Sequence, residues 1–153
     1  MGNHDSFSGL IACLFRTSQI YFERELAKFE LGKGTFVFLL PLFHKDGINQ
    51  NEISHILHFD KAHTTRAIQK LIELDYIKRE VDEEDNRAYK IFLTDKAKSV
   101  KPDILNVLHG WSELVSEGFS DEDKKTALQL LHKMMENALN FKHHCRNHCA
   151  HEE

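Results

Sequence analysis

Residues 49–66 read Asn49-Gln-Asn-Glu-Ile-Ser-His-Ile-Leu-His-Phe-Asp-Lys-Ala-His-Thr-Thr-Arg66 and contain the starts of two neighbouring helices. Asn49 followed by Glu52 has the spacing of a capping box, in which the two side chains accept hydrogen bonds from free backbone N–H groups. Asp60 is a preferred N-cap residue for the second helix. Two short helices joined by a tight turn are typical of the helix-turn-helix.

Downstream of the second helix the apolar period changes from helical to two. Residues 76–81 and 89–93 alternate in this way and predict two strands, separated by the polar stretch Asp82-Glu-Glu-Asp-Asn-Arg87. The pattern indicates a β-hairpin with a charged tip. A helix-turn-helix followed by such a hairpin is a winged helix-turn-helix.

The flanking segments are predicted to be helical. An apolar stripe spans about 7–29, and a helix that is apolar nearly all round follows to about residue 45, capped by Thr35 and kinked at Pro41. Thr94 caps a helix to about residue 117, and Ser120 with Asp123 caps a last helix to about residue 141. The predicted fold class is mainly α with a small antiparallel β wing.

Composition narrows the class of protein. The chain has 153 residues, 41% hydrophobic and 29% charged, which fits one globular domain rather than a disordered chain. No stretch is apolar enough to span a membrane, and no basic cluster near the start indicates a secretory signal. Three cysteines cannot form a disulfide framework, so we expect a cytoplasmic protein.

Motifs for catalysis are missing from the sequence. There is no Gly-rich phosphate loop, no His-Glu-x-x-His helix and no evident Ser–His–Asp order, and the carboxylates fall at caps or on solvated faces. We therefore expect a protein that is not an enzyme and requires no cofactor.

The winged module resembles the MarR-type transcriptional regulators of bacteria and archaea. Its most specific element is Asp85-x-Arg87, followed seven residues after Arg87 by Thr94. The resemblance covers about residues 10–141 and departs from the family at Asp75, where the family usually has glycine. Asp75 ends the second helix at a position that calls for a left-handed residue, a role that aspartate tolerates less well than glycine. The other matching segments are Asn49-Gln-Asn-Glu-Ile-Ser54, Asp60-Lys-Ala-His-Thr-Thr-Arg66, Leu71-Ile-Glu-Leu-Asp-Tyr-Ile-Lys-Arg79 and Leu93-Thr-Asp-Lys96.

The resemblance implies a regulator that binds double-stranded DNA, most often as a repressor, and a homodimer built from the first and last helices. Helix-turn-helix proteins read base edges with the start of the second helix, and arginine, glutamine and threonine suit guanine, adenine and the thymine methyl. Asp85 and Arg87 are implied to serve the minor groove through the wing. The predicted contacts on the helix are Lys61, Ala62, His63, Thr65, Arg66, Gln69 and Lys70.

Charge gives an argument against DNA binding. Residues 48–94 contain seven basic and nine acidic residues, a net charge of −2, although phosphate neutralisation drives most non-specific affinity. The DNA interpretation therefore requires positive charge to be concentrated on one face. The alternative is a winged-helix interaction module that does not bind DNA.

The last residues, 142–153, are rich in histidine and cysteine. If the last helix continues past Phe141, the donors fall about four residues apart on neighbouring faces, which suits zinc or another transition metal. A metal-responsive regulator is therefore a further alternative, against a solvent-exposed end without function. The candidate ligands are His144, Cys145, His148, Cys149 and His151.

Two other features have competing interpretations. Cys13 is predicted to be a buried structural cysteine rather than an oxidant sensor. Certain aromatic residues are candidates for the pocket of a small aromatic effector, as the family's ligand clefts imply, but aromatics at helical spacing are more often core. These are Tyr21, Phe36, Phe38, Phe43 and Trp111.

The predicted organisation has four parts. Residues 1–33 form a dimerisation helix, and residues 34–94 form the winged helix-turn-helix module. Residues 95–141 form helices that complete the dimer interface, and residues 142–153 form the tail.

Overall fold

A computed structural model describes the backbone of residues 6–32, 34–82 and 88–149, with side chains as far as residue 141. The chain divides into two compact units between Trp111 and Ser112. The C-terminal unit contains the last residues, 112–115, of helix α5 (Asp95–Val115) and all of helix α6 (Asp121–Cys149). The N-terminal unit contains α1 (Phe7–Leu26), a 3-10 turn (Ala27–Phe29), a 3-10 helix (Thr35–Leu39), α2 (Leu40–His44), β1 (Ile48–Asn49), α3 (Gln50–Leu57), α4 (Lys61–Glu73), β2 (Ile77–Val81), β3 (Tyr89–Leu93) and most of α5 (Asp95–Val115).

The sheet confirms the predicted hairpin and adds a strand. Strands β2 and β3 pair antiparallel with Ile77 opposite Leu93, and β1 pairs with the other edge of β3 through Ile48 opposite Ile91. The two-residue β1 was not predicted, because two residues are too few to show a period. Most of the predicted tip of the wing, residues 83–87, lies outside the described part of the chain.

Four of the five predicted helix caps are confirmed. Asn49 and Glu52 form a capping box in which each side chain accepts a backbone N–H, at 2.9 and 2.8 Å. The Asp60 carboxylate accepts the N–H of His63 at 2.7 Å and begins α4. The other two confirmed caps are Thr94, which accepts the N–H of Ala97, and Ser120 with Asp123.

The segment after Gly34 differs from the prediction. It begins as a 3-10 helix with the left-handed Gly34 as N-cap, and no side chain caps it, so Thr35 is not the cap. Pro41 lies in the first turn of α2, where a missing N–H leaves no helical bond unmade. The sequence predicted a kink at Pro41 within one helix. Instead, the chain changes from a 3-10 helix to an α-helix just ahead of Pro41. The predicted burial of this segment is confirmed.

The core of the N-terminal unit is built largely by the winged module and the segment before it. Helices α3 and α4 and all three strands contribute side chains to it, so the module is positioned by the core itself. The buried apolar residues are Leu26, Leu31, Phe36, Phe38, Leu39, Leu42, Ile48, Ile53, Ile68, Leu71, Tyr76, Ile77, Ile91, Leu93, Ala97 and Ile104.

Helix α1 is largely exposed over its first half. Cys13 is exposed there, which corrects the prediction that it is a buried structural cysteine. In the described part of the chain, the large apolar residues of α1 around Cys13 are exposed as well. Those residues are Phe7, Leu10, Ile11, Leu14, Phe15 and Ile20.

The exit from α4 is a Schellman motif. The N–H of Asp75 donates to Ile72 O and that of Tyr76 to Leu71 O, both at 2.9 Å. Asp75 has φ of 59°, the left-handed conformation that the sequence predicted for this position. A side chain with Cβ is strained there, whereas glycine is not.

Replacing Asp75 with glycine is expected to raise the free energy of unfolding by about 0.5–1 kcal/mol. The relief of left-handed strain, about 1–2 kcal/mol, exceeds the added entropy of the unfolded chain, about 0.5–1 kcal/mol. Denaturant unfolding measures it, with Asp75→Ala as the control that keeps the strain. Equal stability of the two variants would contradict the strain argument.

Candidate nucleic-acid interface

Helix α4 has one buried and one exposed side. Thr64, Ile68 and Leu71 are buried, and the Thr64 hydroxyl donates to Asp60 O at 2.9 Å. The seven α4 residues predicted to contact DNA are all exposed. They span the first two and a half turns, the part of such a helix that enters a major groove.

Positive charge is concentrated on α4 despite the net negative module. Residues 61–72 contain three basic residues, Lys61, Arg66 and Lys70, and no acidic residue. Among the described residues neither Lys61 nor Arg66 takes part in an ion pair. The exposed side of α4 therefore presents cations that phosphates or guanine edges can engage.

Four acidic side chains of the described module are held by groups other than the basic residues of α4. Glu52 belongs to the capping box, and Glu80 pairs with Lys78 at 2.7 Å. That contact raises the pKa of Lys78. Asp82 pairs with Lys90 at 3.1 Å. The N–H of His63 lowers the pKa of the Asp60 carboxyl, which remains a charged cap. Positive charge is thus concentrated on residues 61–72 of α4, as the DNA interpretation requires.

The start of α4 is fixed by aromatic stacking. The His63 ring lies on that of Phe59, with centroids 4.7 Å apart and planes 8° apart. Phe38 of the 3-10 helix contacts both rings, at 5.6 Å from His63 and 5.2 Å from Phe59. His63 is therefore exposed but held in one orientation by its neighbours.

Two polar residues near α4 were not among the predicted contacts. Gln50, the first residue of α3, donates from Nε2 to Thr65 Oγ1 at 2.6 Å, and Arg79 of β2 lies 3.5 Å from Gln50 Oε1. The signal for Arg79 was strand alternation, since Lys78 and Glu80 pair on the opposite face of β2. The signal for Gln50 was its place directly after the capping residue Asn49.

The last turn of α4 has weaker contacts. Glu73 accepts from Gln69 Nε2 at 3.4 Å and lies 4.0 Å from Lys70 Nζ, and all three side chains are exposed. Such exposed pairs contribute little to stability. Gln69 and Lys70 can therefore exchange Glu73 for another partner at little cost.

Other predicted site residues lie outside the described part. Asp85 and Arg87 fall between residues 82 and 88, and His151 follows the described end of α6. The backbone of α6 is helical through Cys149, but the side chains of His144, Cys145, His148 and Cys149 are not described. Among the residues with described side chains, no group of three or more His, Cys, Asp or Glu could hold a metal.

The candidate effector residues lie in the N-terminal unit. Phe36 and Phe38 are buried in the core, which supports the core interpretation for both. Tyr21 and Trp111 are half-buried, with ring centroids 5.4 Å apart, and the Tyr21 hydroxyl donates to Val107 O at 3.3 Å. Phe43 is half-buried with Lys101 Nζ 5.4 Å from its ring centroid.

Comparison with known proteins agrees with this geometry. The family model described as "Transcriptional regulator SarA/Rot" matches residues 21–104. The HTH-type transcriptional regulator BilQ of Clostridioides difficile is 31% identical over 129 residues, covering 84% of this chain and 87% of BilQ. A MarR transcriptional regulator from Methanosarcina mazei is 38% identical with a TM-score of 0.79, covering 88% of this chain and 96% of that structure.

A further structure shares the fold at lower identity. It is a putative MarR family regulator from Listeria monocytogenes complexed with 26mer DNA, 21% identical, with a TM-score of 0.86 over 94% of this chain and 95% of that structure. The fold and the exposed, capped α4 define a winged helix-turn-helix transcriptional regulator. The chain belongs to the SarA/Rot family of transcriptional regulators, within the MarR-type fold. In the described part of the chain, no helix is long and apolar enough to cross a membrane.

Proposed function

We propose that this regulator binds a pseudo-palindromic double-stranded DNA operator in the cytoplasm as a homodimer and represses transcription. The observation that carries the proposal is the exposed side of α4, which presents Lys61, Arg66 and Lys70 with no acidic residue between 61 and 72. In this proposal residues 34–94 form the DNA-binding module. Lys61 and Lys70 contact phosphates, and Arg66 contacts a base edge.

The wing completes the proposed interface. Arg87, oriented by Asp85, enters the adjacent minor groove, where negative potential is enhanced at narrow sequences. Strand β2 supports this arrangement because Arg79 lies on the same side as Gln50 of α3. The two recognition helices of a dimer would then lie about 34–36 Å apart, one turn of DNA.

Selection from random duplexes tests this function directly. We expect enrichment of a two-fold repeat whose half-site centres lie about one helical turn apart, bound with a steep salt dependence. A selection that enriches no duplex, together with the absence of salt-dependent DNA binding, would favour a winged-helix interaction module instead. Reporter transcription with and without the protein then distinguishes repression from activation.

Exposed apolar surface supports the homodimer. Leu10, Ile11 and Leu14 on α1 are each at least half exposed, and α6 independently exposes Leu128, Leu131 and Met135. Continuous apolar surface of this kind marks an interaction site. A second copy of the chain is the proposed cover, because a symmetric reader of a palindrome requires one.

Replacing Leu14 with glutamate is expected to shift the protein from dimer to monomer at micromolar concentration. The introduced charge would be buried in the proposed interface, whereas it stays hydrated in a monomer. Sedimentation equilibrium measures the change. Ile56→Glu on α3 is the matched control, since Ile56 is 54% exposed and Leu14 52%. A wild-type protein that sediments as a monomer would contradict the proposal.

Regulation by metal is a second candidate function. Helix α6 extends to Cys149. Its backbone positions 144 and 148 therefore lie one helical turn apart, and so do positions 145 and 149. Zinc titration of the full chain and of a chain ending at residue 141 tests this candidate. Equal heats would remove the tail as a metal site. Response to an aromatic effector stays a prediction, with the half-buried Tyr21, Phe43 and Trp111 as its remaining candidate residues.

A further inference from the structure

We infer that Thr65 reads a thymine through its γ-methyl group and that Gln50 is the residue that positions it. The inference rests on the proposed function, since it takes α4 to lie in a major groove.

The Thr65 hydroxyl has no proton left for DNA. It donates to Lys61 O at 2.7 Å, and it accepts from Gln50 Nε2 at 2.6 Å. A hydroxyl has one proton, so Thr65 cannot donate to the acceptors on guanine, to adenine N7 or to thymine O4. Besides one lone pair on its oxygen, the Thr65 side chain still offers its methyl group, and thymine alone has a matching apolar group in the major groove.

The orientation of the Gln50 amide follows from Arg79. A guanidinium can only donate, so the amide turns Oε1 toward Arg79 and Nε2 toward Thr65. The Thr65 oxygen must then accept, which directs its own proton to Lys61 O. Gln50 thereby joins α3, α4 and β2 and holds the Thr65 side chain in one rotamer, without any need to touch a base itself.

The test uses the duplex obtained by selection and replaces each of its thymines in turn with deoxyuridine, which lacks only the methyl group. At the thymine that Thr65 reads, the wild-type protein is expected to bind about fourfold more weakly per half-site, the effect of one buried methyl. A duplex with no thymine-to-uracil effect at any position overturns the inference and leaves the proposed function standing. Failure to select a duplex removes the proposed function instead.

Two substitutions at position 65 separate the methyl from the hydroxyl. Thr65→Ser keeps the hydroxyl and loses the methyl, and its thymine-to-uracil affinity ratio is expected to fall to about one at that base. Thr65→Val keeps the methyl in the rotamer preferred on helices and is expected to retain the ratio. A ratio that serine keeps would show that another group contacts the thymine methyl, and it would overturn the inference.

The positioning role of Gln50 is tested by the same ratio. Gln50→Met has a side chain of similar length without a donor, and it is expected to lower the ratio at the base read by Thr65 about twofold or more. Asn51→Met is the matched control, since Asn51 is the exposed neighbour on α3. An unchanged ratio in Gln50→Met overturns the positioning role, whatever happens to total affinity or thermal stability.

Discussion

Replacing Arg66 with alanine is expected to weaken binding to the selected operator about 10- to 100-fold, the cost of one good bidentate base contact. Arg66 is exposed on α4 and takes part in no ion pair among the described residues. Its guanidinium is therefore available for guanine O6 and N7. Electrophoretic mobility shift with the selected duplex and with a duplex changed at the guanine measures both affinity and specificity.

The control for Arg66→Ala removes the same charge elsewhere. Arg24→Ala on α1 lies outside the winged module, and Arg24 already pairs with Glu25 at 2.8 Å. It should change operator affinity only slightly, through long-range electrostatics. If the Arg66→Ala protein keeps wild-type affinity and wild-type preference for guanine, α4 does not read the groove through this residue.

Replacing Gly47 with alanine is expected to lower the free energy of unfolding by about 2–4 kcal/mol. Gly47 has φ of 74°, where an alanine is strained by about 1–2 kcal/mol, and the added Cβ would lie 2.7 Å from Cε1 of Phe92. Overpacking of this kind adds about 1–3 kcal/mol, and the entropy that alanine removes from the unfolded chain offsets about 0.5–1 kcal/mol. The Gly47 N–H also donates to Ile91 O at 3.0 Å, so the strain falls on the junction of β1 and β3.

Gly34 provides the matched control for this substitution. Its φ of 76° is almost the same, but an added Cβ meets nothing within 4 Å. Gly34→Ala should therefore lower the free energy of unfolding by about 0.5–1 kcal/mol, the left-handed strain less the entropy that alanine removes from the unfolded chain. Denaturant unfolding of both variants separates the two contributions. Equal losses of stability would show that Phe92 moves aside freely.

Local hydrogen-bond patterns account for the predictions that hold. The boxes at Asn49 and Ser120, the cap at Asp60 and the left-handed Asp75 each involve groups within five residues of one another. Such patterns are complete in a short stretch of chain, so the side-chain types suffice to recognise them. The same is true of the alternation that predicted β2 and β3.

Predictions failed where the outcome depended on packing partners. Cys13 lies on α1 among apolar residues, which are usually buried at such spacing, but Cys13 and its apolar neighbours are exposed in the described part of the chain. The Thr35 prediction failed for a different, local reason, since the left-handed Gly34 is the N-cap of the 3-10 helix and no side chain caps it. Helical periodicity alone does not distinguish these cases.

The candidate site shows the same division. The amino-acid sequence by itself determined the two helices, their caps, the hairpin and the basic, acid-free run at 61–72. Each of these depends on residues that lie close together along the chain. Only the tertiary structure joined Gln50 to Thr65 and Arg79, which are 15 and 29 residues away along the chain. Contacts at such separations form only after α3, α4 and β2 pack on the common core, so no local pattern records them.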